Sequence, residues 1–360
     1  MAGPRWLKRR LALPPQPPSL TGLSAPFDIG ETVRVLDGGS AGRIEGMSTR
    51  VGLLSSVIAC AALLVGCDSV SPHGSVNIPA LRAIPSHSSH IVEIVMENKE
   101  AGDVLGNRQA PFVNRLARRY GAAQASYAIT HPSLPNYFAL TSGSTHGIAS
   151  DCTDCHVAGQ NFIDQLEAAG VSWKAYMEDL PRPCFAGARY RGYAKKHDPF
   201  LYYDDIVASR ARCAKVVSFG RLVDDLRTGT LPTFSFLSPN LCHDTHDCPV
   251  SSGDRFLARL VPSLLAELGP HGFLVLTWDE GRSDRGCCDD AHGGRIPTVV
   301  AGPDVRPGAR VRIPLDHYGV LHTIEKALRL PALAAAADPS HGGLEGLFRR
   351  SVFGRARRTA

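Results

Sequence analysis

Residues 91–98 read Ile-Val-Glu-Ile-Val-Met-Glu-Asn, and residues 273–280 read Phe-Leu-Val-Leu-Thr-Trp-Asp-Glu. Each is a short, β-rich apolar run that ends abruptly in acids or an amide. A run apolar at nearly every position, rather than at every second one, fits a strand covered on both faces, as in a parallel sheet. Working outward, Ala125–Ile129, Val171–Met177, Thr233–Leu237 and Ile296–Ala301 read as further strands. Between and after them, Pro111–Tyr120, Asn161–Ala169 (closed by Gly170) and Tyr318–Leu328 carry helical spacing. This alternation predicts an α/β fold: a three-layer α/β/α sandwich with a mainly parallel central sheet and no internal repeat. Residues 89–335 are expected to form that domain and residues 336–360 a C-terminal tail, basic from Arg349 onward. In such sheets chemistry collects just past the carboxyl ends of the strands. Polar clusters stand at those points: Glu97-Asn98, the segment around Ser133, His243–Asp247, and Asp279-Glu280.

The N-terminal part reads differently. Residues 1–46 are rich in Pro, Gly and Arg without a sustained period, and are read as a misassigned start or a disordered extension. A second start at Met47 opens a signal-like segment, residues 47–66, with Arg50 followed by an apolar stretch of 16 residues from Val51 to Gly66. That is shorter than the ~20 residues a bilayer-spanning helix needs and fits an export signal better. It ends Leu64-Val65-Gly66-Cys67, which resembles a bacterial lipobox and makes Cys67 the expected lipidation site. A plain signal peptide or a single membrane anchor is the competing reading. Residues 67–88, rich in Ser, Pro and His, then form a tether. An exported chain, held at the cell membrane by its lipid or released outside, is the expected location.

Charge excludes one class of partner. The formal net charge is +5, but from Cys67 onward the chain holds 32 basic and 30 acidic residues. With no basic stripe interleaved with aromatics, nucleic acid is not an expected partner. Beyond Cys67 there are eight cysteines, which behind an export signal predict disulfides. Spacing suggests local bridges for Cys152/Cys155 and Cys242/Cys248, and leaves on the order of a hundred pairings open overall. A structural zinc site at Cys152, Cys155 and His156 is the alternative.

Each polar cluster has a bland reading and a chemical one. Glu97 and Asn98, at a strand exit, are either a helix cap or oxygen donors for a divalent metal. Thr130-His131-Pro132-Ser133-Leu134-Pro135-Asn136-Tyr137 is either a proline-rich loop or a rigid turn that presents a hydroxyl. A serine hydroxyl needs a base or a metal to attack anything, and no GxSxG elbow surrounds Ser133. Asp279-Glu280 is either a solvated pair or a carboxylate pair kept together by a cation. In His243–Asp247 the imidazoles and hard oxygens, His246 above all, suit Zn, Mn or Fe. His292 is a lone histidine, and Arg295 close by could clamp a phosphate.

At Ser133 the chain resembles a known pattern. Ser-Leu-Pro-Asn followed by Tyr-Phe-Ala-Leu-Thr-Ser-Gly (133–143) is similar to the nucleophile segment of the nucleotide pyrophosphatase/phosphodiesterases, members of the alkaline phosphatase superfamily. It resembles more closely the bacterial phosphoesterase family of acid phosphatases and phospholipases C. The pieces occur in order: Met96-Glu97-Asn98-Lys99, His131-Pro132-Ser133-Leu134-Pro135-Asn136-Tyr137, Gly170-Val171-Ser172-Trp173-Lys174-Ala175-Tyr176, Ser238-Pro239-Asn240, Thr277-Trp278-Asp279-Glu280-Gly281 and Arg295–Pro303. The resemblance implies an alkaline-phosphatase-like fold and a phosphoester hydrolase. It implies Ser133 as nucleophile and metal-bound oxygen, with Glu97, Asn98, Asp279 and Glu280 as further metal ligands. The two-zinc members place Asp-His where this chain has Asp279-Glu280, so one divalent ion is expected, either Zn, Mn, Fe, Ca or Mg. Asn136, Lys174 and Arg295 are the expected donors to the substrate phosphate, and His246 and His292 the expected proton donors. A phosphate monoester is the expected substrate; a phospholipid or nucleotide diester is the alternative. From another class, a catalytically inactive envelope lipoprotein that binds a ligand is also carried.

Overall fold

A computed structural model describes residues 89–349 and 352–353. The expectations for residues 1–46, 47–66 and 67–88, including Cys67, lie outside the described residues. In chain order the elements are β1 (Ile91–Met96), α1 (Ala101–Val104), α2 (Pro111–Arg119), β2 (Gly121–Tyr127), α3 (Ser133–Ser142), α4 (Phe162–Ala168) and β3 (Trp173–Met177). They continue with β4 (Arg189–Tyr190), β5 (Tyr193–Ala194), α5 (Asp204–Ala208), α6 (Arg210–Cys213), β6 (Val216–Ser218), α7 (Phe219–Thr228), β7 (Phe234–Ser238) and α8 (Val250–Glu267). The last are β8 (Phe273–Trp278), β9 (Arg295–Ala301), β10 (Ala309–Val311), β11 (Leu315–Asp316) and α9 (His317–Leu328).

The expected mainly parallel sheet is present. Its order is β10-β2-β9-β8-β1-β7-β3-β6, with β11 also pairing β2. β1 lies in the middle, parallel to β7 and β8. β9 alone runs against its neighbours β8 and β2. All six residues of β1 are buried, so both faces are covered. Val95 packs with α3, α4 and α9 in one apolar cluster. Val92, Ile94 and Met96 pack with α2, α7 and α8 in the other. That is the three-layer sandwich, with a core on each side of the sheet.

Local chemistry sets the element ends. Pro111 opens α2, where its missing N–H costs nothing. Asn161 caps α4 by accepting from the Ile163 amide, and Asp164 returns the bond to the Asn161 amide. Gly143, at φ 69°, turns the chain out of α3. Among the elements that depart from the sequence reading, two have a clear local cause. β2 begins at Gly121, four residues before the expected strand, because Gly121-Ala122-Ala123 offers no β-branched or aromatic signal yet fits tightly beside β9 and β10. The longest helix, α8, was not among the expected elements, and Pro262 inside it interrupts the pattern. Packing also continues past residue 335: Leu344, Leu347 and Phe348 are buried in the first cluster, and Phe348 bridges to Val305.

Eight cysteines form four disulfides, Cys152–Cys155, Cys184–Cys213, Cys242–Cys248 and Cys287–Cys288. Both expected local bridges are present, and Cys152 and Cys155 are thereby unavailable to zinc. Among the described residues no helix is long and apolar enough to cross a membrane.

Candidate active site

Two neighbouring parallel strands deliver the acids. β1 ends at Met96 and hands on to Glu97; β8 ends at Trp278 and hands on to Asp279-Glu280. Backbone bonds lock the exits together: the Asp279 amide donates to Met96 O at 2.9 Å, and the Glu97 amide to Asp244 O at 2.8 Å. The Asn98 amide donates to Asp279 Oδ1 at 2.9 Å. Asn98 adopts φ 56°, in the left-handed region that asparagine tolerates, which turns the chain sharply around the acid.

Ser133 is the first residue of α3 and is fully buried. Its Oγ donates to Glu97 Oε2 at 3.1 Å and to Glu280 Oε1 at 3.3 Å. Stretches of chain far apart in sequence thus converge on one hydroxyl. The loop before it is held by Asn136, whose Oδ1 accepts from the Ile129 and Thr130 amides while Nδ2 donates to Thr130 O and Pro132 O. The amide of Asn136 is spent on fixing this turn. The Leu134 amide donates to Asp151 Oδ1 at 3.0 Å, and Lys196 Nζ donates to Asp151 Oδ2 at 2.9 Å. Lys196 Nζ also lies 3.5 Å from Ser133 Oγ and 3.4 Å from His246 Nε2.

A second set of groups surrounds Glu97. Tyr137 donates its hydroxyl to Glu97 Oε1. His197 stacks on the Tyr137 ring with its Nε2 3.1 Å from Glu97 Oε1 and its Nδ1 3.3 Å from Asp244 Oδ2. Neither approach has hydrogen-bond geometry, and three buried polar atoms are left without a partner: His197 Nε2, Asp244 Oδ2 and Asp279 Oδ2. Such orphans are costly. Burial pushes the carboxyls of Glu97 and Asp244 well above the usual range, with Asp279 adding to both. Burial and then Glu280 raise Asp279 to about 7. Burial also raises Glu280, partly offset by its contact with His131. His197 is pushed well down by burial, then by Lys196, so it is a neutral imidazole with a free lone pair.

Clustered acids that resist ionisation, together with unpartnered oxygens and a neutral imidazole, are a donor set that fits a divalent cation. Glu97, His197 and His246 each offer a ligand atom, all within 4.8 Å of one another. His246 is oriented by Asp247 Oδ1, 2.7 Å from its Nδ1. The loop carrying Asp244, His246 and Asp247 is clasped between Cys242 and Cys248.

The structure therefore brings Glu97, Asn98, Ser133, Asp279, Glu280 and His246 together. It sets three expected residues apart. Lys174, near the start of β3, is turned to α7, where it pairs with Asp225 at 2.5 Å. Arg295 donates to Gln124 O at 3.4 Å and lines a different cleft. His292 is exposed at the rim, with Nε2 3.4 Å from Thr130 Oγ1. Lys196 and His197 are the residues that sequence reasoning missed. They sit on a 3₁₀ turn after the β4–β5 hairpin, behind no apolar strand. The only available signal was the clustering of Lys195-Lys196-His197-Asp198 itself.

Comparison with known proteins supplies the family. A model of the Phosphoesterase family matches residues 96–331. The chain belongs to that family. This phosphoesterase is 34% identical over 268 residues to a phosphatidylinositol-3-phosphatase of Mycobacterium tuberculosis, covering 72% of this chain and 83% of the relative. It is 29% identical over 220 residues to an acid phosphatase of Aspergillus fumigatus, covering 58% of this chain and 48% of that protein. Among solved structures, a protein in the alkaline phosphatase superfamily from Vibrio parahaemolyticus shares the fold, with a TM-score of 0.51, 13% identity, and 69% and 68% of the two chains covered. The expected superfamily fold is thus present, and the phosphoesterase is a hydrolase of phosphoric esters.

Proposed function

We propose that Ser133 is the nucleophile of a metal-dependent phosphomonoester hydrolase. The observation that carries this reading is one buried hydroxyl held between Glu97 and Glu280, with the Lys196 ammonium 3.5 Å away. Glu97, Asp279 and Glu280, with the Asn98 amide, Asp244, His197 and His246 around them, would hold one divalent cation. The imidazoles favour Zn, Mn or Fe over Ca or Mg. Such an ion would supply a lowered hydroxyl pKa and positive charge for the phosphoryl oxygens.

The chain's own residues then act as follows. Glu280, hydrogen-bonded to Ser133 Oγ, takes its proton as the Oγ–P bond forms. The P–O bond to the leaving alcohol breaks in line with it. Lys196, fixed by Asp151, neutralises the equatorial phosphoryl oxygens where Asn136, Lys174 and Arg295 do not reach. Asp151 and the Glu97 charge keep Lys196 protonated against the cost of its burial. His292 is exposed beside Thr130 and set apart from Ser133, so the departing alcohol takes its proton from solvent. Water then attacks the phosphorus and gives a proton back to solvent, while Glu280 returns its proton to Ser133 Oγ as the Oγ–P bond breaks.

Similarity to the mycobacterial phosphatidylinositol-3-phosphatase and the fungal acid phosphatases favours a monoester over a diester, and a phosphoinositide among the monoesters to test. The lipobox ending at Cys67 supports attachment to a membrane on the outer side of the cell, where the disulfides are stable. Ser133→Ala should lower kcat on p-nitrophenyl phosphate by about 10³-fold or more while leaving Tm close to the wild type. A variant with substantial turnover removes Ser133 from this role. A substrate panel of phosphatidylinositol 3-phosphate, p-nitrophenyl phosphate and bis-p-nitrophenyl phosphate, with and without chelator, separates monoesterase from phospholipase C and diesterase. No turnover on any of them would leave the inactive, ligand-binding reading.

A further inference from the structure

A cleft of about 670 Å³ opens where α2 packs over β2 and β10, and its charged lining is entirely arginine: Arg118, Arg295, Arg310 and Arg312. Ligand sites commonly occupy roughly 300–1,000 Å³. Among the described residues none of the four guanidinium groups has a carboxylate within ion-pair distance, although Arg212, Arg221, Arg227 and Arg282 all do. Two of the four are pre-aimed. Arg310 donates to Ala117 O at 3.0 Å, at the last turn of α2, and Arg295 reaches Gln124 O at a bulge in β2. Arg118 and Arg312 stand exposed, and among the described residues their side-chain donors have no protein partner. Directly after Arg312, Ile313 is 71% exposed, the most exposed large hydrophobic of the described chain.

Four unpaired guanidiniums repel one another and gain most from anions with several oxygens, which they bind in bidentate fashion. An apolar side chain projecting beside such a cluster is the combination that seats a protein at an acidic bilayer, with arginines at the phosphates and the apolar group below them. We propose that this cleft is a non-catalytic docking site for the phosphates of acidic lipid headgroups, with Ile313 entering the interface. The floor of the cleft is the first half of β2, whose far end leads into the Ser133 loop, so docking here sets the orientation of the active site toward the surface. This inference stands independently of the role given to Ser133.

The test uses the full chain carrying Cys67→Ser, so that no acyl chain contributes, and sedimentation with vesicles of phosphatidylcholine alone or mixed with phosphatidylglycerol. The expected result is binding to the acidic vesicles only, reversed by salt. In Arg118→Glu/Arg312→Glu binding falls about tenfold or more, with p-nitrophenyl phosphate turnover and Tm unchanged. Ile313→Ser weakens binding without altering its salt dependence. The proposal is overturned if the double variant sediments like its parent, or if neutral vesicles bind equally well. It is also overturned if inositol hexakisphosphate binds the cleft while acidic vesicles do not, since that result makes the cleft a site for soluble anions.

Discussion

Residue by residue, buried ionisable groups divide into those the site explains and those that it does not, Glu93 and Glu325 among the latter. Glu97, Asp244, Asp279 and Glu280 surround Ser133, and their mutual repulsion has an evident remedy in a cation. Glu93 has none: it lies inside β1, 1% exposed, with Oε1 unpartnered. Burial raises its carboxyl from 4.5 to about 8. A group whose folded pKa is raised favours the fold while it is protonated and loses that advantage as pH climbs. Stability should therefore decline between about pH 4.5 and about pH 8. Glu93→Gln, a neutral isostere, should stabilise the protein by about 3 kcal/mol at pH 7 and by almost nothing at pH 4. Urea unfolding at both pH values checks this; equal gains would mean that Glu93 is solvated or paired. At Lys196, replacement by Met should cut kcat/KM by about 10²-fold or more through loss of charge at the phosphoryl oxygens. Steady-state kinetics with Tm as control reads that effect, and an unchanged kcat/KM would leave Lys196 as a strut for Asp151.

At the level of elements, the strands and their exits account for most of what was legible. β1 and β8 were readable because a strand buried on both faces must be apolar throughout, so acids at its end stand out. Glu97, Asp279 and Glu280 were found that way, and Ser133 through its proline-bracketed turn. His197 and Lys196 were not, because a short 3₁₀ turn carries no periodicity to mark where its side chains point. Lys174 and Arg295 misled for a related reason. Proximity in sequence to a strand says nothing about which end or face a long side chain will choose, and Asp225 offered Lys174 a closer partner. Asn161 illustrates a legible boundary, since it caps α4 from both directions. Asn161→Ala should cost about 1 kcal/mol, measurable as a lower urea midpoint at unchanged m-value. Loss of its bond to Asp205 Oδ1 adds to that cost.

For the molecule as a whole, the fold gathers buried acids and unpartnered oxygens whose mutual repulsion a bound cation would relieve. Anything that binds the folded chain alone shifts unfolding by mass action. Adding Zn²⁺ or Mn²⁺ to chelator-treated protein should raise Tm in a concentration-dependent way, and Glu97→Gln/Asp279→Asn should abolish the rise. Differential scanning calorimetry reads this without any assay of turnover. A Tm indifferent to every divalent ion would leave the acids without the partner assigned to them.

The bridge between Cys242 and Cys248 reaches further than the loop it closes. His246 and Asp244 sit on seven residues whose ends are joined covalently once two thiols have been oxidised. Without that bridge the segment keeps only hydrogen bonds such as that from the Glu97 amide to Asp244 O, a weaker hold on the imidazole. Reducing agent should thus loosen this donor loop while leaving the strands, none of which carries a cysteine, where they are.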